Sequence, residues 1–294
     1  MPEGDTLYRT ATVLREVLLG RQVTSARGRP GGVQLERVAG DRIDRVESVG
    51  KHLLIGFDGG LSLHTHLGMN GSWHRYRPGE RWRRSPARAV SVIETATAVA
   101  VCFDAPVAEL IETRALGLHP ALARLGPDLI DADPDVDAAL ARLGETGRGG
   151  ATIAEALLDQ RTMAGLGNVY RSEVLFIERV DPFLSVAAVE PTVRARLVRT
   201  GARLLRANRD GPRRTTTGRD ADGERLWVYR RTGRPCRRCG TPVRSMVLGE
   251  LPRRLWWCPM CQPAGAGGLA TVSGRGAEAD AGLAGASRPS STRS

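Results

Sequence analysis

Lysine is almost missing from this sequence. Lys51 is the only lysine in a chain of 294 residues that carries 43 lysines and arginines. A chain that uses arginine nearly everywhere is expected to have arginine wherever either side chain serves. Lys51 therefore predicts a site that needs a compact ammonium with three donors rather than a planar guanidinium. The alternative is that one lysine persists by chance on a solvated strand.

Aromatic residues and long apolar runs are scarce as well. Only 4% of the residues are aromatic, which gives little support to an RNA-binding zinc-ribbon protein that stacks bases on a sheet. No apolar run is long enough to span a bilayer. A secretory signal, with a charged start followed by an apolar stretch, is not seen either. These absences predict a cytoplasmic protein with no membrane association.

The charge balance is strongly positive. The formal net charge is +11, with a pI of about 10.5. Such a balance favours polyanionic partners, nucleic acid first and an acidic membrane surface second. The length predicts roughly two domains and a core of useful size.

The N-terminus offers a nucleophile. Met1 is normally removed before a small residue, which would leave Pro2 with a free secondary amine. An α-amino group titrates near ~8, against ~10.4 for lysine, so more of it is unprotonated at neutral pH. Such an amine can form a Schiff base, and Glu3 beside it can donate or accept a proton. The alternative is an ordinary N-terminus, since many chains begin Met-Pro.

Periodicity predicts a helix over residues 5–19, followed by short strands up to about residue 113. The strand candidates are 43–49, 53–57, 61–66, 89–93 and 99–103. Many short strands at this spacing predict an antiparallel sandwich or barrel. The basic segment 75–88 is either a solvated loop or a loop that faces phosphates.

The next part of the chain is predicted to be helical. Residues 120–150 are rich in alanine, and Thr152 and Glu155 form a capping box that opens a helix to about residue 164. A glycine-rich break follows, and Asn168 is expected to cap a second helix to about residue 178. The exposed N–H groups at its start predict a phosphate site, with a plain helical hairpin as the alternative. A further helix is predicted over 191–208, and 209–225 is expected to be a linker or a mobile loop.

Four cysteines form two CxxC pairs separated by eighteen residues. They are Cys236, Cys239, Cys258 and Cys261. This spacing matches a four-cysteine zinc site, which has no open coordination position and is therefore structural. Disulfide pairing is the alternative, which a reducing cytosol disfavours. Cys102 lies on an apolar strand and is expected in the core.

Several segments in this order carry a resemblance. They are MPEG (1–4), SVGKHLL (48–54), HLGMNG (66–71), QRTMAGLGNVY (160–170) and WCPMCQ (257–262). The chain resembles the formamidopyrimidine-DNA glycosylase and endonuclease VIII family over residues 1 to about 262. No single motif is decisive, but their joint order is highly specific.

The resemblance implies an α+β protein: an N-terminal antiparallel β-sandwich with a flanking helix, a helix–two-turn–helix domain and a zinc-finger hairpin. The implied boundaries are 1–118 for the sandwich, 119–225 for the helical domain with its linker, and 226–262 for the finger. The glycine-, alanine- and serine-rich segment 263–294 is expected to be a disordered tail.

The resemblance also implies residue roles in a bifunctional DNA glycosylase and abasic-site lyase that binds damaged DNA as a monomer. Pro2 would be the nucleophile, Glu3 would shuttle protons, and Lys51 would contact phosphate and assist the chemistry. Asn168 and Arg253 would bind phosphates around the flipped nucleotide. Met69 would fill the gap that the flipped base leaves, and one structural Zn²⁺ would hold the finger. The competing hypothesis is a non-catalytic zinc-finger DNA-binding protein of the same fold.

The sequence departs from the family pattern at three places. Thr6 stands where many relatives have a second glutamate, which puts the role of that carboxylate in doubt. The Arg-Arg-Phe wedge of the formamidopyrimidine branch is replaced by DAPVA at 104–108, and the loop before the finger is short. The missing wedge and the short loop favour the endonuclease VIII branch, which prefers oxidised pyrimidines.

Overall fold

The computed structural model describes residues 2–147, 149–249 and 252–265. Most of the segment predicted as a disordered tail therefore lies outside the described residues. Within the described part of the chain, no helix is long and apolar enough to cross a membrane.

The N-terminal part is one helix followed by eight antiparallel strands. Helix α1 is Gly4–Leu18. The strands are β1 Val23–Gly28, β2 Ile43–Val49, β3 His52–Phe57, β4 Leu61–His66, β5 Ser72–Tyr76, β6 Ala89–Thr95, β7 Val99–Phe103 and β8 Val107–Glu112. They form two sheets, in the orders β1-β6-β7-β5 and β2-β3-β4-β8. The predicted antiparallel sandwich is confirmed.

The sandwich core lies between the inner faces of the two sheets, and α1 closes it. Leu7, Leu14 and Leu18 recur on one face of α1 and are buried in the same cluster as Leu53 and Ile55 of β3. Burial of a leucine side chain contributes about 1.5–3 kcal/mol, so this face holds the helix firmly on the sandwich. The N-terminus of the chain is thereby held in place.

Alternation along β3 and β4 gives their sheet a second, polar face. Leu53 and Ile55 point into the core, so His52 and Leu54 point the other way. On β4, Leu63 is a core residue and its neighbour His64 lies on the opposite face.

The helical part contains α2 Val136–Gly147, α3 Ile153–Ala156, α4 Asn168–Ile177 and α5 Pro191–Ala207. These helices share one apolar core. The hairpin of β9 Arg244–Leu248 and β10 Arg253–Trp257 follows. Trp256 and three of the cysteines, Cys236, Cys258 and Cys261, pack in one cluster with residues of α4, so the hairpin packs on that helix.

Several element predictions were wrong. Strands β1, β5 and β8 were missed. The capping box of Thr152 and Glu155 is present, but its helix ends at Ala156 rather than near residue 164. Beyond it, Asp159 Oδ1 accepts from Arg161 N–H at 2.9 Å and Gln160 Nε2 donates to the Leu158 carbonyl at 2.9 Å. Such local side-chain bonds favour turns over helix. Among the described residues between 120 and 150, α2 is the only α-helix.

Candidate active site

A cavity of about 370 Å³ opens between the sandwich, the helical part and the hairpin. Five of the residues predicted to act on DNA line it. The lining residues are Pro2, Lys51, His66, Leu67, Gly68, Met69, Leu158, Gln160, Asn168 and Arg253. Residues from widely separated parts of the sequence are thus brought to one concave surface, which is the usual form of a binding or active site.

Glu3 lies beneath this cavity and is fully buried. Its carboxylate oxygens accept hydrogen bonds from the backbone N–H groups of Gly167 at 3.0 Å, Val169 at 2.8 Å and Tyr170 at 3.3 Å. These groups form the start of α4, where the helix dipole favours a negative charge. These hydrogen bonds therefore attach the first residues of the chain to the helical part.

This arrangement corrects two predictions. The N–H groups at the start of α4 were expected to point outward as a phosphate site, but Glu3 occupies them. Asn168 was expected to cap the helix, but the N-cap is Gly167 and Asn168 is the first helical residue. The N-terminus of a helix binds a carboxylate in the same way as it binds a phosphate. The Glu3 carboxylate therefore takes the place that a phosphate would have there.

The close approach of the two parts depends on glycine. Gly4 N–H donates to the Gly165 carbonyl at 2.9 Å. A Cβ on Gly4 would lie 2.9 Å from the Gly165 Cα, and one on Gly167 would lie 2.3 Å from the Glu3 Cδ. Side chains at Gly4 and Gly167 would therefore push α1 and Glu3 away from α4.

Arg214 completes the base of the site and was not foreseen. Its Nε donates to Asp5 Oδ2 at 3.0 Å, and a second guanidinium nitrogen bonds Asp5 Oδ1. The same guanidinium lies 4.0 Å from Glu3 Oε1 and 4.9 Å from the ring centre of Tyr170. The surrounding segment was predicted to be a linker or mobile loop; Arg214 instead ties it to the N-terminus. Nothing local in the sequence signals a partner 209 residues away.

Lys51 lies in the tight turn between β2 and β3, half-buried at the cavity wall. Gly50 before it has φ +57°, and its N–H donates to Asp128 Oδ2 at 2.5 Å. Burial lowers the pKa of Lys51 to about 8; Glu3 opposes this shift, while Arg214, Arg253 and Arg171 add to it. Lys51 therefore stays mostly protonated at neutral pH and loses its charge at a lower pH than an ordinary lysine does. The adjacent His66 also has a lowered pKa, through burial and the charge of Lys51.

Asn168 connects α4 to the hairpin. Its Nδ2 donates to the Arg254 carbonyl at 2.7 Å, and its Oδ1 accepts from the buried Arg171. Arg253 is the residue before Arg254 on β10; it is exposed and lines the cavity. The asparagine thus orients the strand that presents Arg253.

Met69 lines the cavity, and its side chain is 55% exposed. Gly68 before it has φ +57°, and a Cβ there would meet the ring of Pro106 at 2.8 Å. This glycine turn holds Met69 outward.

The four CxxC cysteines converge, and their sulfur atoms lie within 4.8 Å of one another. The Sγ–Sγ distances are 3.9 Å for Cys236–Cys261 and 3.5 Å for Cys239–Cys258. A tetrahedral ion with bonds of about 2.3 Å would need roughly 3.8 Å between sulfurs, so the donor set fits a metal of the zinc type. Cys102 is buried in the sandwich core as predicted, and burial raises the pKa of its thiol.

Comparison with known proteins agrees with this geometry. The formamidopyrimidine-DNA glycosylase N-terminal domain model matches residues 1–117, and the H2TH domain model of the same glycosylase matches residues 125–212. The chain is 42% identical over 266 residues to "Probable endonuclease 8 2" of Streptomyces coelicolor, covering 89% of this chain and 94% of the relative. It is 39% identical to "DNA-(apurinic or apyrimidinic site) lyase Nei2" of Mycolicibacterium smegmatis, covering 90% and 100%.

Solved structures share the fold. A complex of the Lactococcus lactis Fpg with DNA containing an abasic site superposes with a TM-score of 0.75 at 22% identity, covering 89% of this chain and 100% of that one. The fold, the cavity and these similarities define a DNA repair enzyme of the glycosylase and lyase class. The chain belongs to the formamidopyrimidine-DNA glycosylase and endonuclease VIII family, in its endonuclease VIII branch.

Proposed function

We propose that this chain removes oxidised bases from DNA, with oxidised pyrimidines favoured, and then cleaves the abasic site through a Schiff base on Pro2. The observation that carries the proposal is the position of Pro2. It lines the cavity directly above Glu3, whose three backbone hydrogen bonds hold the chain end in place.

The chemistry uses the N-terminal nitrogen after Met1 is removed. Pro2 attacks C1′ of the damaged nucleotide, the base leaves with a proton, and the opened sugar is held as an iminium ion. The positive nitrogen acidifies the hydrogen on C2′, so the 3′ phosphate leaves by β-elimination and the 5′ phosphate follows by δ-elimination. Glu3, the next residue along the chain, is the carboxylate that we assign to these proton transfers.

Lys51, Asn168 and Arg253 bind the strand in this proposal. They enter the cavity from the sandwich, α4 and the hairpin, so they surround the position of the extruded nucleotide. Lys51 contacts a phosphate near the lesion and assists the chemistry at Pro2. Asn168 and Arg253 bind the flanking phosphates, which positions the strand but does not read its sequence.

Met69 acts as the wedge. Extruding a base costs a few kcal/mol and leaves a gap in the stack. An exposed apolar side chain on a glycine-fixed turn can fill that gap, as other DNA-kinking proteins do with apolar wedges.

The remaining assignments follow from the same reading. The four cysteines bind one structural Zn²⁺ that shapes the hairpin carrying Arg253. Residues 1–118, 119–225 and 226–262 act as sandwich, helical domain and finger. The protein works on DNA as a monomer in the cytoplasm, at the nucleoid.

Borohydride trapping on DNA with an abasic site tests the proposal. The wild type should form a covalent complex, and peptide mapping should place the crosslink on Pro2. Pro2→Gly should weaken the complex, and a chain with a residue added before Pro2 should form none. A chain that retains Met1 by intact-mass measurement and gives no crosslink would instead be a non-catalytic DNA-binding protein.

A panel of lesions tests the base preference separately. Thymine glycol and dihydrouracil should be excised faster than oxidised guanine from otherwise identical duplexes. Faster release of oxidised guanine would contradict the pyrimidine preference while leaving the trapping result untouched.

A further inference from the structure

Histidine is concentrated at one place in this protein. The chain has five histidines. Four of them, His52, His64, His66 and His119, form a continuous chain of rings with neighbouring centres 4.9–5.0 Å apart. The fifth, His74, lies on β5 in the other sheet.

Within this group, one carboxylate oxygen faces two imidazoles. Glu109 Oε1 lies 2.8 Å from His64 Nδ1 and 3.0 Å from His119 Nε2. The two rings meet edge to face at 66°. Two imidazole nitrogens and one carboxylate oxygen therefore share a space in which all three lie within 4.8 Å of one another.

The topology explains why these side chains converge. His64 of β4 and Glu109 of β8 are direct partners in the antiparallel register, so their side chains lie side by side. Both project from the sheet face opposite the sandwich core. A 3₁₀ turn, Thr113–Leu118, then leads the chain to His119 over that same face.

The cluster lies apart from the four cysteines and uses different ligand chemistry. Imidazole suits the divalent first-row ions from iron to zinc, and a carboxylate adds a charged oxygen ligand. Ligand bonds of about 2.0–2.2 Å at tetrahedral angles put donors about 3.3–3.6 Å apart, so Glu109 Oε1 must move roughly 0.3–0.8 Å away from the two imidazole nitrogens. Glu109 can make that movement because its side chain is 42% exposed.

The surroundings of His64 support a ligand role. Metal-bound histidines generally use their second ring nitrogen to donate a hydrogen bond, which orients the ring. His64 Nε2 lies 2.7 Å from Nδ1 of the buried His52. His64 is thus held with Nδ1 towards Glu109 and Nε2 towards His52.

We propose that His64, Glu109 and His119 bind one divalent transition-metal ion, with Zn²⁺ as the probe, in a second site distinct from the four-cysteine site. Three protein ligands leave at least one coordination position to water, on the side where Glu109 is exposed. His119 lies where the chain leaves the sandwich. The bound ion would link it to the sheet of β2, β3, β4 and β8, in which the turn between β2 and β3 carries Lys51. The proposal does not depend on the glycosylase chemistry.

The test uses the full-length protein with its cysteine site already loaded with zinc. Added Zn²⁺ should bind with a stoichiometry of one by calorimetry and should raise the melting temperature. His119→Ala and Glu109→Gln should each weaken this binding by at least about tenfold and remove the thermal shift. His74→Ala is the matched control, because His74 is the one histidine outside the group of four stacked rings, and this variant should bind Zn²⁺ as the wild type does.

Cobalt supplies a readout of the ligands. Co²⁺ added to the zinc-loaded protein should give visible absorption without a thiolate-to-metal charge-transfer band, since no cysteine takes part. Two results overturn the proposal: no ion taken up beyond the cysteine site, or equal uptake by the wild type and both cluster variants. Circular dichroism confirms that each variant is folded, so lost binding cannot be assigned to unfolding.

Discussion

The carboxylate of Glu3 accepts a hydrogen bond from the backbone N–H of Val169, 2.8 Å away and 166 residues later in the chain. This contact joins the first residues of the sandwich to the first turn of α4. It places Pro2 at the seam between two parts of the molecule that both line the cavity. The chain end is therefore held by tertiary structure, unlike most termini, which are poorly ordered.

Gly167→Ala should separate the two partners of this contact. A Cβ at this position would lie 2.3 Å from the Glu3 Cδ, so Glu3 must move. A shift of about 1 Å at a reacting group can cost about 100-fold in rate, and we expect a loss of that order in borohydride trapping. Gly117→Ala is the control, because a Cβ there meets nothing within 4 Å. Equal trapping by the two variants would show that the position of Glu3 does not matter.

Arg214→Ala should destabilise the fold as well as the site. Asp5 is fully buried and Arg214 nearly so, and removal of one partner of a buried ion pair costs about 3–5 kcal/mol. Denaturant unfolding measures the change. Arg213→Ala is the matched control: its side chain is 56% exposed and pairs with an 84% exposed Asp222, so about 1 kcal/mol or less is expected. Similar losses in the two variants would contradict the inferred role of Arg214.

Lys51 should make DNA affinity sensitive to alkaline pH. Its pKa is lowered to about 8, so the free protein loses this ammonium as the pH rises from 7 to 9. If only the charged form binds phosphate, affinity should fall by about tenfold at one unit above the pKa. In Lys51→Arg the guanidinium stays charged, so its affinity should fall less over this range. Fluorescence anisotropy measures the DNA affinity of both proteins at each pH. The amine of Pro2 is present in both, so its titration does not contribute to the difference between their pH dependences.

The lowered pKa of Lys51 also affects the stability of the fold. Its contribution to stability should rise with pH, whereas its contribution to DNA affinity should fall. The folded pKa lies below the unfolded value of about 10.4, so the unfolded chain holds the proton more tightly between pH 8 and 10.4. The contribution of Lys51 to stability therefore rises with pH across this window. Unfolding of wild type and Lys51→Met at pH 7.5 and 9.5 measures it, and an unchanged difference between the two proteins would contradict the lowered pKa.

Cys239→Ser should abolish metal binding by the four cysteines. Structural zinc contributes about 10–16 kcal/mol to the folding of isolated fingers, so a three-cysteine site should not hold the hairpin in shape. We expect one equivalent less of tightly bound metal, altered tryptophan fluorescence from Trp256, and weaker DNA binding. Cys102→Ala is the control. It removes a thiol from the sandwich core, so this variant should keep the metal of the four-cysteine site. Full metal content in Cys239→Ser would rule out this residue as a ligand.

Local patterns were enough to predict much of the architecture. Strands β2, β4 and β7 have the predicted bounds, because alternation and short apolar runs depend only on neighbours. The strands that were missed carry weaker patterns; every residue of β8 is at least partly exposed. The spacing of the cysteines and the order of the family motifs were likewise readable from the sequence.

The sequence alone thus determined the class of fold and the family, and it predicted five residues that line one cavity. Only the tertiary structure decided how they meet. It placed Glu3, rather than a phosphate, at the start of α4, turned an apparent linker into the support for Arg214, and gathered four histidines on one sheet face. Each of these contacts joins groups that are distant in sequence. Periodicity predicts on which side of a helix or strand a residue lies, but it does not predict the residue that it will contact.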